Sequence, residues 1–234
     1  MKKATILNLI VTLLISSSIF ATDIEVRELG NFSRVAVATG INLILVPGNT
    51  NEAEIEVDNI DLEDIITKVE GRKLIIKVKG KNWGWKLGKR TRRKVNVTLT
   101  YKDINEISAS SGARVTSDYA LVNEEIEVSA SSGSSVNLEI EGNDVEASAS
   151  SGATITLSGE CNTLDASVSS GSRIKGSDLE ASDVEASASS GASMRIWAKE
   201  SLYARASSGG TVKYKGNPEK MRKKKSSGGS VKQI

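Results

Sequence analysis

Residues 79–94 are the segment best equipped to hold a ligand, because they combine two tryptophans with many basic residues and contain no acid. Indole rings stack on sugar faces, and basic side chains pair with phosphate or carboxylate groups. The length and glycines of the segment predict a protruding loop that contacts a surface glycan or an anionic lipid. The side chains expected to make this contact are Trp83, Trp85, Lys86, Arg90, Arg92 and Arg93. The alternative is a hairpin whose tryptophans pack on the body of the protein while its basic side chains are solvated.

A recurring acid is the second feature with chemical potential. One acidic residue returns about every 20 residues, at Glu106, Glu127, Glu146, Asp165 and Glu185. If these segments stack as neighbouring strands, the carboxylates lie about 4.8 Å apart and repel each other. Ca²⁺ accepts several carboxylates, so the last four acids form a candidate metal site. The alternative is a solvated face on which the charges splay apart.

Catalytic machinery is not evident in the sequence. Histidine, the commonest general base and metal ligand, is absent, and we expect no cofactor. Cys161 is the single cysteine, which excludes a disulfide within the chain, and a small buried hydrophobe would serve equally well at its position. Acid pairs alone suffice in glycosidases, so a polysaccharide-cleaving enzyme remains the alternative to a binding protein. A concave groove with two opposed carboxylates would favour the enzyme.

These residues are positioned by a repeat that the tripeptide Ser-Ser-Gly marks seven times. Its glycines are Gly112, Gly133, Gly152, Gly171, Gly191, Gly209 and Gly228. Counted from each glycine, apolar residues recur at positions −7, −5, −3 and +3, which is strand periodicity. Each glycine would serve a tight corner that needs positive φ or has no room for a Cβ. The sequence therefore predicts a right-handed parallel β-solenoid with about 20 residues per turn.

The last repeat differs from the others. Lys223 and Lys225 occupy positions −5 and −3, where earlier repeats carry mainly alanine and valine. Charges at inward positions of a terminal turn protect its open edge from pairing with another strand. The basic run over residues 222–225 could instead bind anions such as phosphate-bearing glycans or lipids.

The N-terminus predicts export. Lys2 and Lys3 precede an apolar run over residues 6–20, and Ala21 supplies a small residue at the cleavage point, so residues 1–21 are typical of a secretory signal peptide. No later stretch is apolar for long enough to span a membrane. The chain contains 31 basic and 29 acidic residues, and removal of the leader makes these numbers equal. This balance gives no reason to expect a nucleic acid as partner.

Residues 22–103 are also β-like in pattern, but without regular repetition. Candidate strands are residues 24–29, 34–38, 41–46, 54–57, 73–78 and 94–101. Residues 61–67 could form a short helix or an extended link. We expect this irregular β-rich N-terminal region to continue directly into the solenoid of residues 104–234, so that both form one domain.

The order of several motifs resembles that of one bacterial family. Gly40-Ile41-Asn42 leads into an apolar strand and Pro47-Gly48, and residues 54–57, residues 70–76, the Ser-Gly repeats and the final residues 214–231 follow in the same order. Over residues 30–234 the chain is similar to the family called "head GIN domain, putative autotransporter adhesin". The resemblance implies a right-handed β-helix-like fold in an exported protein. It offers no catalytic residues to carry over.

Together these features predict a non-catalytic binding or adhesion module, or a structural protein of the cell envelope. We expect it in the periplasm, on the outer-membrane surface or outside the cell. A surface glycan, an anionic lipid or an envelope protein would be its partner. A homo-oligomer is also open, because another subunit could cover the N-terminal edge of the stack.

Overall fold

The computed structural model describes residues 23–80 and 93–234, which form seventeen strands and one 3-10 helix, Leu62–Asp64. The strands of the N-terminal region are β1 Asp23–Glu28, β2 Arg34–Val37, β3 Asn42–Pro47, β4 Glu52–Asp58, β5 Ile65–Glu70, β6 Lys73–Val78 and β7 Lys94–Tyr101. The strands of the repeats are β8 Glu106–Ala109, β9 Arg114–Ser117, β10 Leu121–Ala130, β11 Ser135–Ala149, β12 Thr154–Val168, β13 Arg173–Ala188, β14 Ser193–Ala206, β15 Thr211–Lys215, β16 Lys220–Lys225 and β17 Ser230–Gln233.

One coiled sheet contains all of these strands. Strands β10 to β14 pair in parallel, each with the equivalent strand of the next repeat. The first part of β11 continues the wall that begins with β9, and its last part continues the wall that begins with β8 and β10. The predicted all-β solenoid is therefore confirmed, with about seven turns of roughly 19 residues.

Side chains alternate between the core and the outer face as the repeat predicts. The apolar residues at position +3 are buried in every repeat, from Val115 to Val231. The core is narrow where small residues stack: Ala147, Ala166 and Ala186 lie opposite one another in successive turns, and each is 0% exposed. One cluster of buried residues extends through both the N-terminal region and the repeats.

Each Ser-Ser-Gly forms a tight turn of type I′, in which both central residues have positive φ. In one of them Ser170 has φ 52° and Gly171 has φ 69°, and the N–H of Ser172 donates to the carbonyl of Ser169 over 3.1 Å. A Cβ added to Gly171 would meet open space, so the backbone angle, not lack of room, favours glycine here. The N–H of Gly152 donates to the carbonyl of Ser170 over 3.1 Å, and equivalent bonds join the successive turns into one ladder.

A turn with the same backbone angles joins this ladder where the tripeptide is missing. Thr39 and Gly40 have φ of 62° and 73°, and the N–H of Gly40 donates to the carbonyl of Ser111 over 3.0 Å. Strand β3 begins at Asn42, two residues after this turn. The Gly-Ile-Asn triplet is therefore the end of a turn and the start of a strand.

The N-terminal region stacks in an order that differs from the chain order. Strands β2 and β3 lie directly on β8 and β9, while β6 and β7 form the layer beyond them. Antiparallel strands complete this end, with β1 on β4, β4 on β7 and β5 on β6. The six predicted strands agree with β1 to β4, β6 and β7 to within two residues at each end. Strand β5 was not predicted, because residues 61–67 divide into the helix and the first residues of β5.

Arg27 closes the N-terminal end of the core. It lies opposite the fully buried Ala53 and therefore points inward from β1. Its guanidinium donates to the carbonyls of Ile65 over 2.6 Å and Leu62 over 3.0 Å, and to Thr67 Oγ1 over 3.1 Å. The side chain thereby ties β1 on one wall to β5 on the other.

Lys223 closes the opposite end. It lies opposite Ala204 in the inward register, and its Nζ donates to Tyr214 Oη over 2.7 Å while lying 4.7 Å from the centre of that ring. Lys225 occupies the equivalent place opposite Ala206. Both lysines therefore lie at the inward positions of the terminal turn, as predicted, and their protection of the open edge stays a prediction.

Candidate functional site

The predicted ligand-binding loop lies almost entirely outside the described residues. Trp83, Trp85, Lys86, Arg90 and Arg92 all fall within residues 81–92. Arg93 is described, and it is an exposed residue immediately before β7. Binding by this loop therefore stays a prediction.

The predicted acidic row stands in register on the outer face of one wall. Opposite one another in successive turns are Glu106, Glu127, Glu146, Asp165 and Glu185. The row continues with Tyr203 and Arg222 at its C-terminal end, and it is preceded by Arg34 at the other end. It is thus an acidic stretch with a basic residue in the same register at each end.

Basic side chains neutralise only the ends of the row. Lys73 Nζ lies 2.7 Å from Glu106 Oε1, and Arg34 Nε lies 3.9 Å from Glu106 Oε2. At the other end Arg205 Nη2 lies 3.7 Å from Glu185 Oε1. Within residues 23–80 and 93–234, these ion pairs are the only ones that involve the row.

The middle of the row is a place where ionisation is unfavourable. Burial raises the pKa of Glu127, and the charges of Glu106 and Glu146 raise it further. Burial also raises the pKa of Asp165, with help from Glu185 and Glu146. The stacking of like charges that the repeat imposes is therefore a destabilising feature of the folded protein at neutral pH.

Glu127→Gln is expected to stabilise the protein slightly at pH 7, by up to about 0.5 kcal/mol, because it removes one charge from the row. The raised pKa means that the folded state holds the proton more tightly than the unfolded state. The favourable contribution of Glu127 is therefore full below its unfolded pKa, and it is lost as the pH rises through the folded pKa. Urea unfolding of both proteins from pH 3 to pH 7 measures this, and the difference between them should appear only in the upper part of the range.

Glu139→Gln is the matched control, because it removes the same charge from an exposed position where Ser158 lies opposite. It should change the free energy of unfolding less than Glu127→Gln at pH 7. A Glu127→Gln protein that is less stable than the parent at pH 7 would show that the row is held by favourable contacts.

A second row of polar side chains lies beside the first and was not predicted. Its members, each two residues before a member of the first row, are Glu125, Asp144, Thr163, Asp183, Ser201 and Lys220. Thr163 Oγ1 donates to Asp144 over 2.5 Å, and Ser201 Oγ donates to Asp183. Residues two apart share a face and are separated by about 7 Å. The signal was available in the sequence as position −8 of the repeat.

An open groove of about 1110 Å³ follows the two rows from Arg34 and Glu106 to Lys224. Its acidic pairs, such as Asp144 with Glu146, come from the same strand and recur on successive turns. The groove is present, and the polysaccharide-cleaving enzyme stays a prediction.

No group of three or more acidic, cysteine or histidine side chains that could hold a metal ion occurs in the described part of the chain. The candidate cation site on Glu127, Glu146, Asp165 and Glu185 therefore stays a prediction. Cys161 is buried, and burial raises the pKa of its thiol to about 12. The neutral thiol serves as a small core residue.

The C-terminal end of the groove is basic and aromatic. The Arg205 guanidinium lies 4.5 Å from the centre of the Tyr203 ring, and its Nε donates to Tyr203 Oη over 2.7 Å. Arg222 and Lys224 lie 5.5 Å from the same ring centre. The groove thus changes from acidic to basic within one turn.

The fold is shared with solved structures of low sequence identity. One is described as "a putative adhesin" from Bacteroides fragilis NCTC 9343, with a TM-score of 0.80 and 19% identity over 92% of this chain and 97% of that one. A second, "a putative adhesin" from Parabacteroides merdae ATCC 43184, has a TM-score of 0.71 and 20% identity over 91% and 96%. A third, "Putative lipid binding protein" from Parabacteroides distasonis ATCC 8503, has a TM-score of 0.65 and 18% identity over 91% and 97%.

Two further comparisons and one finding on the helices bear on the family of the chain. No curated protein matches the chain. Among the described residues, no helix has the length and apolar character that crossing a membrane requires. The model of the family described as "Putative auto-transporter adhesin, head GIN domain" matches residues 31–218, most of the chain. The chain therefore belongs to the head GIN domain family.

Proposed function

We propose that the chain is a non-catalytic binding or adhesion module of the cell envelope that acts outside the cytoplasm. The open groove across the turns of one wall carries this proposal. From Glu106 to Arg222 the first row makes six steps between turns, which is about 29 Å at strand spacing. Equivalent polar side chains repeated over this length suit an extended ligand better than a small molecule.

The relatives support a binding role. The family description names an adhesin, and the similar structures are described as adhesins and as a lipid-binding protein. The predicted leader over residues 1–21 supports a place outside the cytoplasm. A surface glycan, an anionic lipid or an envelope protein remains the proposed partner.

A glycan-array screen of residues 22–234 tests the proposal, with two variants that separate the candidate sites. Trp83→Ala/Trp85→Ala removes the aromatic contact of the predicted loop, and Glu146→Gln/Asp165→Asn neutralises the middle of the groove. We expect specific binding by the parent and a loss of at least about tenfold in one of the variants. The matched control is Glu139→Gln/Glu160→Gln, which removes two exposed acids outside the groove.

The outcomes separate the alternatives. Binding that none of the variants weakens would move the site away from both the loop and the groove. Release of new reducing ends from a bound polysaccharide would identify the enzyme that the sequence leaves open. If no glycan is bound, the glycan proposal falls, and copurification with envelope proteins becomes the next measurement.

A further inference from the structure

We propose that the C-terminal end of the stack docks on a phosphate-bearing lipid surface, so that the solenoid stands on the membrane with its last turn. This inference rests on the proposed envelope role and adds to it a partner and a face. The basic end, as we define it, consists of Arg205, Lys213, Lys220, Arg222, Lys224, Lys225 and Lys232.

Charge is strongly polarised along the stack. Residues 115–172 contain ten acids and no lysine or arginine, whereas residues 211–234 contain eight basic residues and one acid. The ion pairs between described residues do not reach residues 211–234. The positive charge of the last turn is therefore left to be balanced by salt ions or by an external anion.

The terminal layer presents these charges as a broad surface. Strands β16 and β17 are the last layer of the two walls. Lys220, Arg222 and Lys224 lie on the outer face of one wall, Lys232 lies on the other wall, and Lys225 lies in the inward register at the open end. A plane of anionic headgroups can contact the basic side chains of both walls and of the open end at once. A polymer in the groove would contact only Lys220, Arg222 and Lys224.

The cations crowd most closely around Tyr203. A hydrogen bond from Lys224 and another from Arg205 hold the pKa of this phenol below its usual value. Arg222 lies beside the same ring. Basic side chains held this close repel one another, and a phosphate oxygen between them would relieve that repulsion and accept charge-assisted hydrogen bonds.

Exposed apolar side chains accompany the charges. Met221 is 43% exposed and Ile234 is 61% exposed at this end. Mixtures of basic and apolar side chains are typical of surfaces that lie against anionic lipid headgroups. The main competing occupant, a second copy added at the strand edge, is disfavoured because all six residues of β16 are exposed and charges project from both of its faces.

Vesicle flotation of residues 22–234 tests the proposal. The probes are phosphatidylcholine vesicles with and without phosphatidylglycerol, and soluble polyphosphate as a competitor. We expect binding only to the anionic vesicles, weakening as salt is raised. Arg222→Glu/Lys224→Glu should reduce the partition coefficient at least about tenfold. The matched control, Lys77→Glu/Arg114→Glu, changes the net charge equally at exposed strand positions far from the basic end and should stay within about threefold of the parent.

Several results would overturn the proposal. One is binding to neutral vesicles as strong as to anionic vesicles, and another is binding of polyphosphate without binding of vesicles. The others are an unchanged partition coefficient in Arg222→Glu/Lys224→Glu, or an equal reduction in this variant and in Lys77→Glu/Arg114→Glu. Arg222→Gln/Lys224→Gln serves as a milder variant if charge reversal lowers the melting temperature. The glycan array is scored separately, so failure on lipid and failure of the proposed binding role are distinguishable.

Discussion

Ala166→Asp is expected to lower the free energy of unfolding by at least about 4 kcal/mol, or to prevent folding. Ala166 is 0% exposed, and Ala147 and Ala186 lie above and below it in the narrow part of the core. A carboxylate there would have no basic partner and no room for water. Because each turn rests on its neighbours, the defect should destabilise the stack on both sides.

Ser167→Asp is the matched control, because it places the same side chain one residue along the strand on the exposed face. It should change the free energy of unfolding by less than about 1 kcal/mol. Guanidinium unfolding followed by circular dichroism measures both variants. Similar losses at the two positions would contradict the alternation that defines the solenoid.

Arg27→Met is expected to lower the free energy of unfolding by about 3 kcal/mol. Methionine keeps the apolar stem of the side chain but removes the hydrogen bonds to the carbonyls of Leu62 and Ile65 and to Thr67. These bonds cross the open end of the core, so their loss should also increase hydrogen exchange in β1 and β5 before other strands respond.

Lys68→Met is the control for this prediction. Lys68 Nζ lies 2.6 Å from Glu70 Oε1, and Arg27 Nη2 lies 2.8 Å from Glu25 Oε2. Unlike Arg27, both Lys68 and its partner Glu70 are more than half exposed. Its removal should cost much less stability than the loss of Arg27, because water and salt screen an exposed ion pair. If the two variants lose the same stability, Arg27 acts as an ordinary surface charge and does not close the core.

The repeats were predictable because the turn tripeptide and the apolar periodicity recur together in each of them. Each Ser-Ser-Gly fixes a turn, and the apolar positions around Gly152 or Gly171 then fix which side chains point inward. A tight turn before the strand that starts at Gly-Ile-Asn is also predictable, but its place in the ladder is not, because only glycine remains of the tripeptide at Thr39 and Gly40. Positive φ at the second serine also went unpredicted, since serine seldom adopts that conformation.

The N-terminal region and the charged groove were less predictable because their contacts join distant parts of the chain. Arg27 finds its carbonyl partners 35 and 38 residues away. Lys73 neutralises Glu106 because β6, β2 and β8 stack out of chain order. The acidic row followed from the repeat, but the groove depends on how each strand bends between the walls, which residue types alone do not encode.

The ladder of turns also allows the stack to gain or lose whole turns. Strand β12 meets β11 with an offset of 19 residues, and β13 meets the first part of β12 with the same offset. Loss or duplication of one such unit in the gene would leave the remaining turns with equivalent neighbours, whereas a single-residue insertion would need a bulge like the one where β12 meets β13. The length of the stack can therefore change in evolution by about 4.8 Å for each turn gained or lost, while the core packing of the other turns is kept.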